Sequence, residues 1–391
     1  MTIEAHAAGA AAGGVTYGMV GGGQGAFIGA VHRKAIAMDG LARLAAGCFS
    51  TTWANTRETG AALGLPQDRL YKDYRRMIRA EAERPDPMDF LVIVTPNAEH
   101  AAIATLALEH GFHVMCDKPL TTTLADAQAL GALARRRKRL FGVTYTYSGY
   151  PIVRHMREMV AAGELGEIRF VAAEYPQDWL ATPLERTGQK QAAWRTDPKR
   201  AGGSNCVGDI GSHIEHLVSH VTGLEIRSLL ARLDRFGPGR ALDDNASILV
   251  EYTGGAKGLY WSSQIAVGHD NGLRLRVYGT KASLEWAQED PNYCQVAYTG
   301  RPTVRLSRGR DDLHPSAARL SRLPSGHPEG YFEAFANIYA AFIAAVRKQK
   351  AGEKLAKADL DFPGVADGIR GVRFIDRCLA SSRAGAAWVR F

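Results

Sequence analysis

Three short stretches of this chain carry side chains that can move protons or polarise an oxygen. Cys116-Asp117-Lys118-Pro119-Leu120 sets a lysine directly before a proline. An ammonium presented there can polarise a reacting oxygen, and its pKa falls where a closed site excludes water. Further on, Gly202 to His213 reads Gly-Gly-Ser-Asn-Cys-Val-Gly-Asp-Ile-Gly-Ser-His. Asp209 and His213 are four residues apart, so a helix puts carboxylate and imidazole on one face, within reach of one hydroxyl. That pair suits alcohol oxidation, in which one group accepts the hydroxyl proton as the carbinol hydride leaves. His213, His216 and His220 also stand at i, i+3 and i+7, a spacing open to a metal. No matching carboxylate or cysteine can be named, and the expectation is no metal. The third stretch, Trp194-Arg195-Thr196-Asp197, combines with Tyr145, Tyr147, Tyr150, Tyr175 and Trp179 as aromatic and hydrogen-bonding groups suited to a sugar ring.

An acceptor for the hydride is indicated at the other end of the chain. Val15 to Gly29 runs V-T-Y-G-M-V-G-G-G-Q-G-A-F-I-G, a β-prone segment leading through glycines into a helix expected from about Gly25. Gly21, Gly23 and Ala26 fit the G-x-G-x-x-[G/A] dinucleotide fingerprint, whose glycines let the backbone turn sharply and approach a pyrophosphate. Gln24, Gly25, Ala26 and Phe27 would then lie at the helix start, where unpaired N–H groups and the dipole face the phosphates. The alternative for such a run is a flexible turn without a ligand. Many NAD enzymes place an acid after the second strand, but here the sequence is Phe49-Ser50-Thr51-Thr52-Trp53. Ser50 and Thr51 can bond a ribose hydroxyl or a 2′-phosphate, and Arg57 is the nearest cation. The reading is NAD, with NADP as the alternative.

These groups need a scaffold, and the pattern supplies one. Up to Thr144 strand and helix alternate, with strands near 15–20, 44–49, 90–94, 112–115 and 140–144, which argues a parallel sheet covered on both faces. Ligands bind outside the carboxyl ends of such strands, where Gly21 to Gly25, Ser50 to Thr52, Thr95-Pro96-Asn97 and Cys116 to Pro119 all fall. From about Glu167, β-prone segments follow one another with turn signals between them, which predicts a second, mostly antiparallel sheet with helices on one face. Helices are expected over Gly330 to Lys348 and Gly364 to Ala380, and an extended surface arm over Thr299 to Pro328. The expected organisation is α/β: a tail at 1–14, a doubly wound Rossmann domain at 15–148 and a substrate and oligomerisation domain at 149–391.

Composition bounds the partners. The chain has 391 residues, 46% of them hydrophobic, enough for two cores. No apolar run is long enough for a membrane span and the start lacks signal-peptide features, so a cytoplasmic protein is expected. The five cysteines form no C-x-x-C pair and read as reduced structural thiols. The formal charge of +8 comes from scattered arginines and one cluster, Arg135 to Arg139, at a helix end where cations complement the dipole; nucleic acid is not an expected partner.

Taken together, the glycine loop, Thr95-Pro96-Asn97 with His100, Asp117-Lys118-Pro119 and the D-x-G-x-H core of Gly203 to His213 resemble the glucose/fructose oxidoreductase, inositol dehydrogenase and MocA (Gfo/Idh/MocA) family over nearly the whole chain. The resemblance implies a Rossmann domain followed by a domain whose open sheet commonly forms an oligomer interface, hence a homodimer or homotetramer. It implies that Lys118, Asp209 and His213 occupy the positions that carry catalysis in the family's dehydrogenases. On that footing, Thr95, Pro96, Asn97, His100, Asp117, Lys118, Trp194 and Arg195 join the cofactor set, while Tyr147, Tyr150, Tyr175 and Arg195 join Lys118, Asp209 and His213 around the substrate. Asp117 departs from the commoner Glu, and His216 stands where many members have Asp.

The reaction implied is hydride transfer between a nicotinamide cofactor and a secondary alcohol of a sugar, sugar derivative or inositol-like polyol. Two alternatives follow from relatives of the family. One is an NAD-dependent glycoside hydrolase that oxidises a ring hydroxyl transiently, eliminates the leaving group and returns the hydride. The other is a non-catalytic sensor of nucleotide or sugar, which would have no need for Lys118, Asp209 and His213.

Overall fold

Phe90–Val94 reads F-L-V-I-V and every residue in it is buried, the pattern of a strand covered on both faces. It is one of five parallel strands in a computed structural model that describes residues 14–391. The tail expected at 1–14 lies, apart from Gly14, outside the described residues. In the first unit β1 (Val15–Gly21), α1 (Phe27–Met38), β2 (Ala42–Cys48), α2 (Trp53–Ala62) and α3 (Tyr74–Glu83) precede β3 (Phe90–Val94). α4 (His100–Glu109), β4 (His113–Cys116), α5 (Leu124–Arg137) and β5 (Phe141–Val143) complete the alternation. The strand order is β2-β1-β3-β4-β5. Winding reverses between β1 and β3, so the crevice beyond their carboxyl ends is the expected ligand position. The basic cluster forms the last turn of α5, as the dipole argument requires.

The second unit begins with α6 (Pro151–Ala161) and β6 (Ile168–Pro176), followed by the short helices α7 (Lys190–Arg195) and α8 (Pro198–Ala201) and by α9 (Ser212–Thr222). Then come β7 (Ile226–Asp234), β8 (Asn245–Tyr252), β9 (Lys257–Ser263), β10 (Arg274–Gly279), β11 (Ala282–Ala287), β12 (Tyr293–Tyr298), β13 (Val304–Ser307) and α10 (Pro315–Ala318). With the later β14 (Val389–Arg390) they form a nine-stranded sheet in which only β6 and β9 pair in parallel. Alternation decides its faces: Ala246, Ile248, Val250 and Tyr252 of β8 are buried, whereas Ser247 and Leu249 are exposed. Leu249, Leu259, Phe170 and Tyr278 leave apolar surface on the open face.

Two expectations are corrected. The stretch 299–328 is not a free arm. The buried Arg308 donates to Asn292 Oδ1, the Leu323 carbonyl and Glu329 Oε1, and Glu329 Oε1 also accepts the Arg322 and Leu323 amides. Residues 149–391 are also not one domain, because 331–369 belong to the first unit. There α11 (Tyr331–Lys350) lays Phe335, Ile338, Tyr339, Phe342 and Val346 into one cluster with Tyr17, Met19, Phe90 and Val92. Their helical spacing is the apolar stripe that the sheet face needs. The boundary falls within α12 (Val365–Arg383), whose later part belongs to the second unit.

Candidate active site

The glycine loop of the first unit fits a dinucleotide. Gly21, Gly22 and Gly25 have φ of 87°, 74° and 80°, a region in which side-chain-bearing residues are strained. A Cβ on Gly29 would lie 2.3 Å from Gly22 Cα, so strand exit and helix touch backbone to backbone. The fingerprint spacing puts its third position at Ala26. In the structure α1 starts only at Phe27, Ala26 is its N-cap residue, and Gly29 provides the close packing. The loop is therefore longer than the simple fingerprint, and the glycine spacing Gly22 to Gly29 was the signal. Ala26 has no capping side chain, so the first-turn N–H groups of α1 are left to an anion such as pyrophosphate. The Gln24 amide is taken: it faces Asn55 Oδ1 and Thr59 Oγ1, each at 3.1 Å, while Asn55 Nδ2 donates to the Gln24 carbonyl. Asn55 and Thr59, neither foreseen, thus fix the loop from α2.

Beyond β2 the turn is held by its own hydroxyls. Thr56 Oγ1 accepts from the Ser50 amide and Ser50 Oγ from the Thr52 amide, both at 3.1 Å, while Thr51 is exposed. His100, expected among the cofactor ligands, is fully buried as a strut: its Nδ1 lies 3.0 Å from the Pro119 carbonyl and its Nε2 2.9 Å from the Thr95 carbonyl. It ties the two loops that carry Thr95-Pro96-Asn97 and Lys118 to each other. Asp117 Oδ1 accepts from the Lys118 amide at 2.8 Å and from Thr144 Oγ1 at 3.0 Å, and Lys118-Pro119 is cis. Behind it the buried His32 has Nδ1 2.6 Å from Tyr339 Oη and Nε2 4.0 Å from Asp117 Oδ2. Burial holds the His32 imidazole neutral, with a pKa lowered to about 4.

In the second unit Asp209 lies in a π-turn, Val207–Gly211, that runs into α9. Such widened turns recur at functional sites because they re-aim a side chain. The turn is anchored by Asp243, whose Oδ1 accepts from the Asn205 amide at 3.0 Å and whose Oδ2 accepts from Ser204 Oγ and the Val207 amide. Burial raises the pKa of this carboxyl even as those donors oppose the shift. Asp209 Oδ2 accepts from Gln264 Nε2 at 2.9 Å and pairs with Arg195 Nε at 3.2 Å. Arg195, expected to touch cofactor and substrate, is committed to Asp209, to Gln191 Oε1 and to the face of Trp194, 4.4 Å from the ring centre. Trp194, also expected at the cofactor, donates to Gln191 Oε1.

His213 is buried against aromatics. Its ring meets Tyr147 edge-on at 4.7 Å and Tyr175 at 6.3 Å, and the Tyr147 and Tyr175 hydroxyls are hydrogen-bonded to each other. Tyr150 stacks on Tyr147 at 6.5 Å. Burial pushes the Tyr147 hydroxyl up to about 12, so it stays protonated at neutral pH. The structure thus groups Tyr147, Tyr150, Tyr175, Asp209, Arg195 and His213 within this unit and Lys118, Asp117, Thr95 and the glycines within the first. Among the described residues, no group of three His, Cys, Asp or Glu side chains is placed to hold a metal. Nor, among the described residues, is any helix long and apolar enough to cross a membrane.

Residues 15–145 match the oxidoreductase family model for an NAD-binding Rossmann fold, and residues 153–285 match the GFO/IDH/MocA C-terminal domain. The chain belongs to the Gfo/Idh/MocA oxidoreductase family. It is 36% identical over 378 residues to YfiI, an uncharacterized oxidoreductase of Bacillus subtilis, covering 96% of each chain. Levoglucosan dehydrogenase of Pseudarthrobacter phenanthrenivorans is 26% identical over 325 residues, 76% of this chain and 78% of that one. Among solved Gfo/Idh/MocA structures, an inositol dehydrogenase homolog from Azotobacter vinelandii complexed with NADH and myo-inositol superposes with a TM-score of 0.91 at 39% identity, over 97% of this chain and 98% of that one. With NAD+ alone, that homolog gives a TM-score of 0.94. The protein is an NAD-dependent oxidoreductase, with its NAD-binding domain built as the glycine loop indicates.

Proposed function

We propose that this protein oxidises a secondary alcohol of a neutral cyclic polyol or sugar, with myo-inositol-like compounds as the first candidates. The observation that carries the reading is the second-unit cluster itself: Asp209 and His213 on one continuous helix, beside three tyrosines, with the Arg195 guanidinium already paired. Hydroxyl-rich neutral rings suit a wall of phenols and carboxamides, whereas an anionic sugar would need a cation not already neutralised. The homolog bound to NADH and myo-inositol gives the same direction.

When bound, NAD supplies the hydride acceptor. His213 accepts the hydroxyl proton, Lys118 polarises the reacting oxygen, and Asp209 binds neighbouring hydroxyls in the orientation that Arg195 and Gln264 give it. The Asp117 carboxylate fixes the backbone that carries Lys118, and the tyrosines orient the ring. The apolar open face of the nine-stranded sheet is the surface through which copies of the chain would associate, as a dimer or tetramer. Light scattering on the purified protein reads that state directly.

The deciding experiment is a panel of inositols, sugars and glycosides assayed with NAD and NADP in parallel, following reduced-cofactor absorbance and product release. Stoichiometric NADH with a polyol or sugar supports the proposal. Aglycone release without net reduction replaces it with a redox-neutral hydrolase, and nucleotide binding without turnover of any kind replaces it with a sensor.

A further inference from the structure

The hydroxyls of Tyr147, Tyr175 and Tyr150 are joined by a row of three carboxamides. Tyr175 donates to Asn271 Oδ1 at 2.6 Å, and Gln177 Nε2 donates to the same oxygen at 2.7 Å. Asn271 Nδ2 donates to Gln288 Oε1 at 3.0 Å, and Gln288 Nε2 donates to Tyr150 Oη at 3.4 Å. Asn271 is the hub, and its own place is fixed: its amide donates to Glu289 Oε1 at 2.9 Å, and the amide of Gly272 donates to the Pro176 carbonyl at 3.0 Å. It stands in the connection between β9 and β10, near neither Lys118 nor the D-x-G-x-H segment in sequence.

A carboxamide has one accepting end and one donating end, so the row has a sense. Both lone-pair directions of Asn271 Oδ1 are used, which commits the Tyr175 proton to Asn271. Tyr175 Oη then accepts the proton of Tyr147, which also shares a hydrogen bond with Asn271 and whose ring meets that of His213 edge-on. At the far end Tyr150 accepts from Gln288, so its own proton points away from the row. A polyol can present each hydroxyl as donor or acceptor and fits an unbiased wall in several rotations. A wall of fixed sense favours the rotation whose hydroxyls match it.

We infer that Asn271 is the positioning residue that sets the hydrogen-bond sense of this tyrosine wall and thereby selects which hydroxyl of a polyol reaches His213. The inference rests on the polyol oxidation proposed above. It needs no contact between Asn271 and the substrate, since the effect passes through Tyr175 to Tyr147 and through Gln288 to Tyr150.

The test uses the full chain with NAD and myo-inositol, plus stereoisomeric inositols. Asn271→Leu keeps the volume and removes both ends, and is expected to raise KM by about 10-fold or more, with a smaller change in kcat and reduced discrimination among isomers. Asn271→Asp keeps the accepting end for Tyr175 and Gln177 and loses only the donor to Gln288, so its KM should fall between wild type and Asn271→Leu. If Asn271→Leu does not fold, Gln288→Met breaks only the Tyr150 arm and carries the same expectation for isomer discrimination. Wild-type KM and isomer preference in the folded variants overturn the inference. A wild-type protein that oxidises no polyol overturns the underlying reading instead. The wall is then judged by a crystal structure of Asn271→Leu: parted Tyr147 and Tyr175 hydroxyls support the hub, and an unmoved pair refutes it.

Discussion

Arg195 Nε lies 3.2 Å from Asp209 Oδ2, with the guanidinium stacked 4.4 Å from the centre of the Trp194 ring. The pair is only partly exposed, so the attraction is screened less than at an open surface. Replacing Arg195 with Gln removes the cation paired with Asp209 while Gln264 still donates to it, and loss of a neighbouring cation raises a carboxyl pKa. Arg195→Gln is therefore expected to lower kcat/KM by roughly 10-fold and to move the acidic limb of its pH profile upward. A limb at the wild-type position would separate Arg195 from the function of Asp209.

Lys118→Ala and His213→Ala should each cut turnover by about 10²-fold or more if these groups carry proton transfer and polarisation. NADH binding, followed by the fluorescence of the bound nucleotide, should stay near wild type in both. Near-normal turnover in the pair of variants would remove these residues from the chemistry.

Gly29→Ala sets two effects against each other. Inside a helix, alanine is favoured over glycine by about 1 kcal/mol. Here the new Cβ would lie 2.3 Å from Gly22 Cα and 2.7 Å from its carbonyl oxygen, and both atoms are backbone that cannot swing aside. The clash should win, pushing the loop out of register and raising the NADH dissociation constant by about 10-fold or more. An unchanged affinity with a raised melting temperature would show that the loop has room.

Acid should destabilise the first unit through two buried imidazoles. Burial lowers His32 to about 4, with Asp117 opposing the shift and Arg33 adding to it. His113 is likewise lowered to about 4 by burial and Arg139 against Asp89, and its Nδ1 accepts from the Leu140 amide at 2.9 Å. Between pH 6.5 and 4 the unfolded chain binds these protons and the folded one does not. Stability therefore falls as pH falls through that window, by about 1.4 kcal/mol per pH unit for each histidine. His113→Asn offers an oxygen to the same amide without titrating, so its denaturation midpoint should vary less steeply over that window. Parallel wild-type and variant curves would refute this assignment.

The alternation of strand and helix up to Thr144 was enough to read the parallel sheet, because β3 is an unbroken, fully buried apolar run and β1 is mostly apolar and buried. The π-turn at Asp209 was not legible, since i,i+4 spacing fits an ordinary helix and the widening depends on Asp243, distant in sequence. Likewise nothing local marks Asn271 or Gln288, which matter through partners that only the sheet register brings together. Arg195 stands out in the sequence as a candidate; its engagement with Asp209 does not, because a guanidinium's partner is a fact of tertiary structure. The strut that buried His100 forms between two carbonyls is invisible for the same reason in the motif that contains it.

The return of α11 to the first unit also governs how the protein can be made. Tyr17, Met19, Phe90 and Val92 share their core with Phe335, Tyr339, Phe342 and Val346. During synthesis the nucleotide-binding sheet therefore emerges long before α11, and it must wait, one face only partly covered by α1, while the whole intervening stretch of the second unit is translated. Domain-by-domain completion from the N-terminus is closed to this topology. A ribosome stalled before Tyr331 would hold a nascent chain in which neither β1 nor β3 has its final cover.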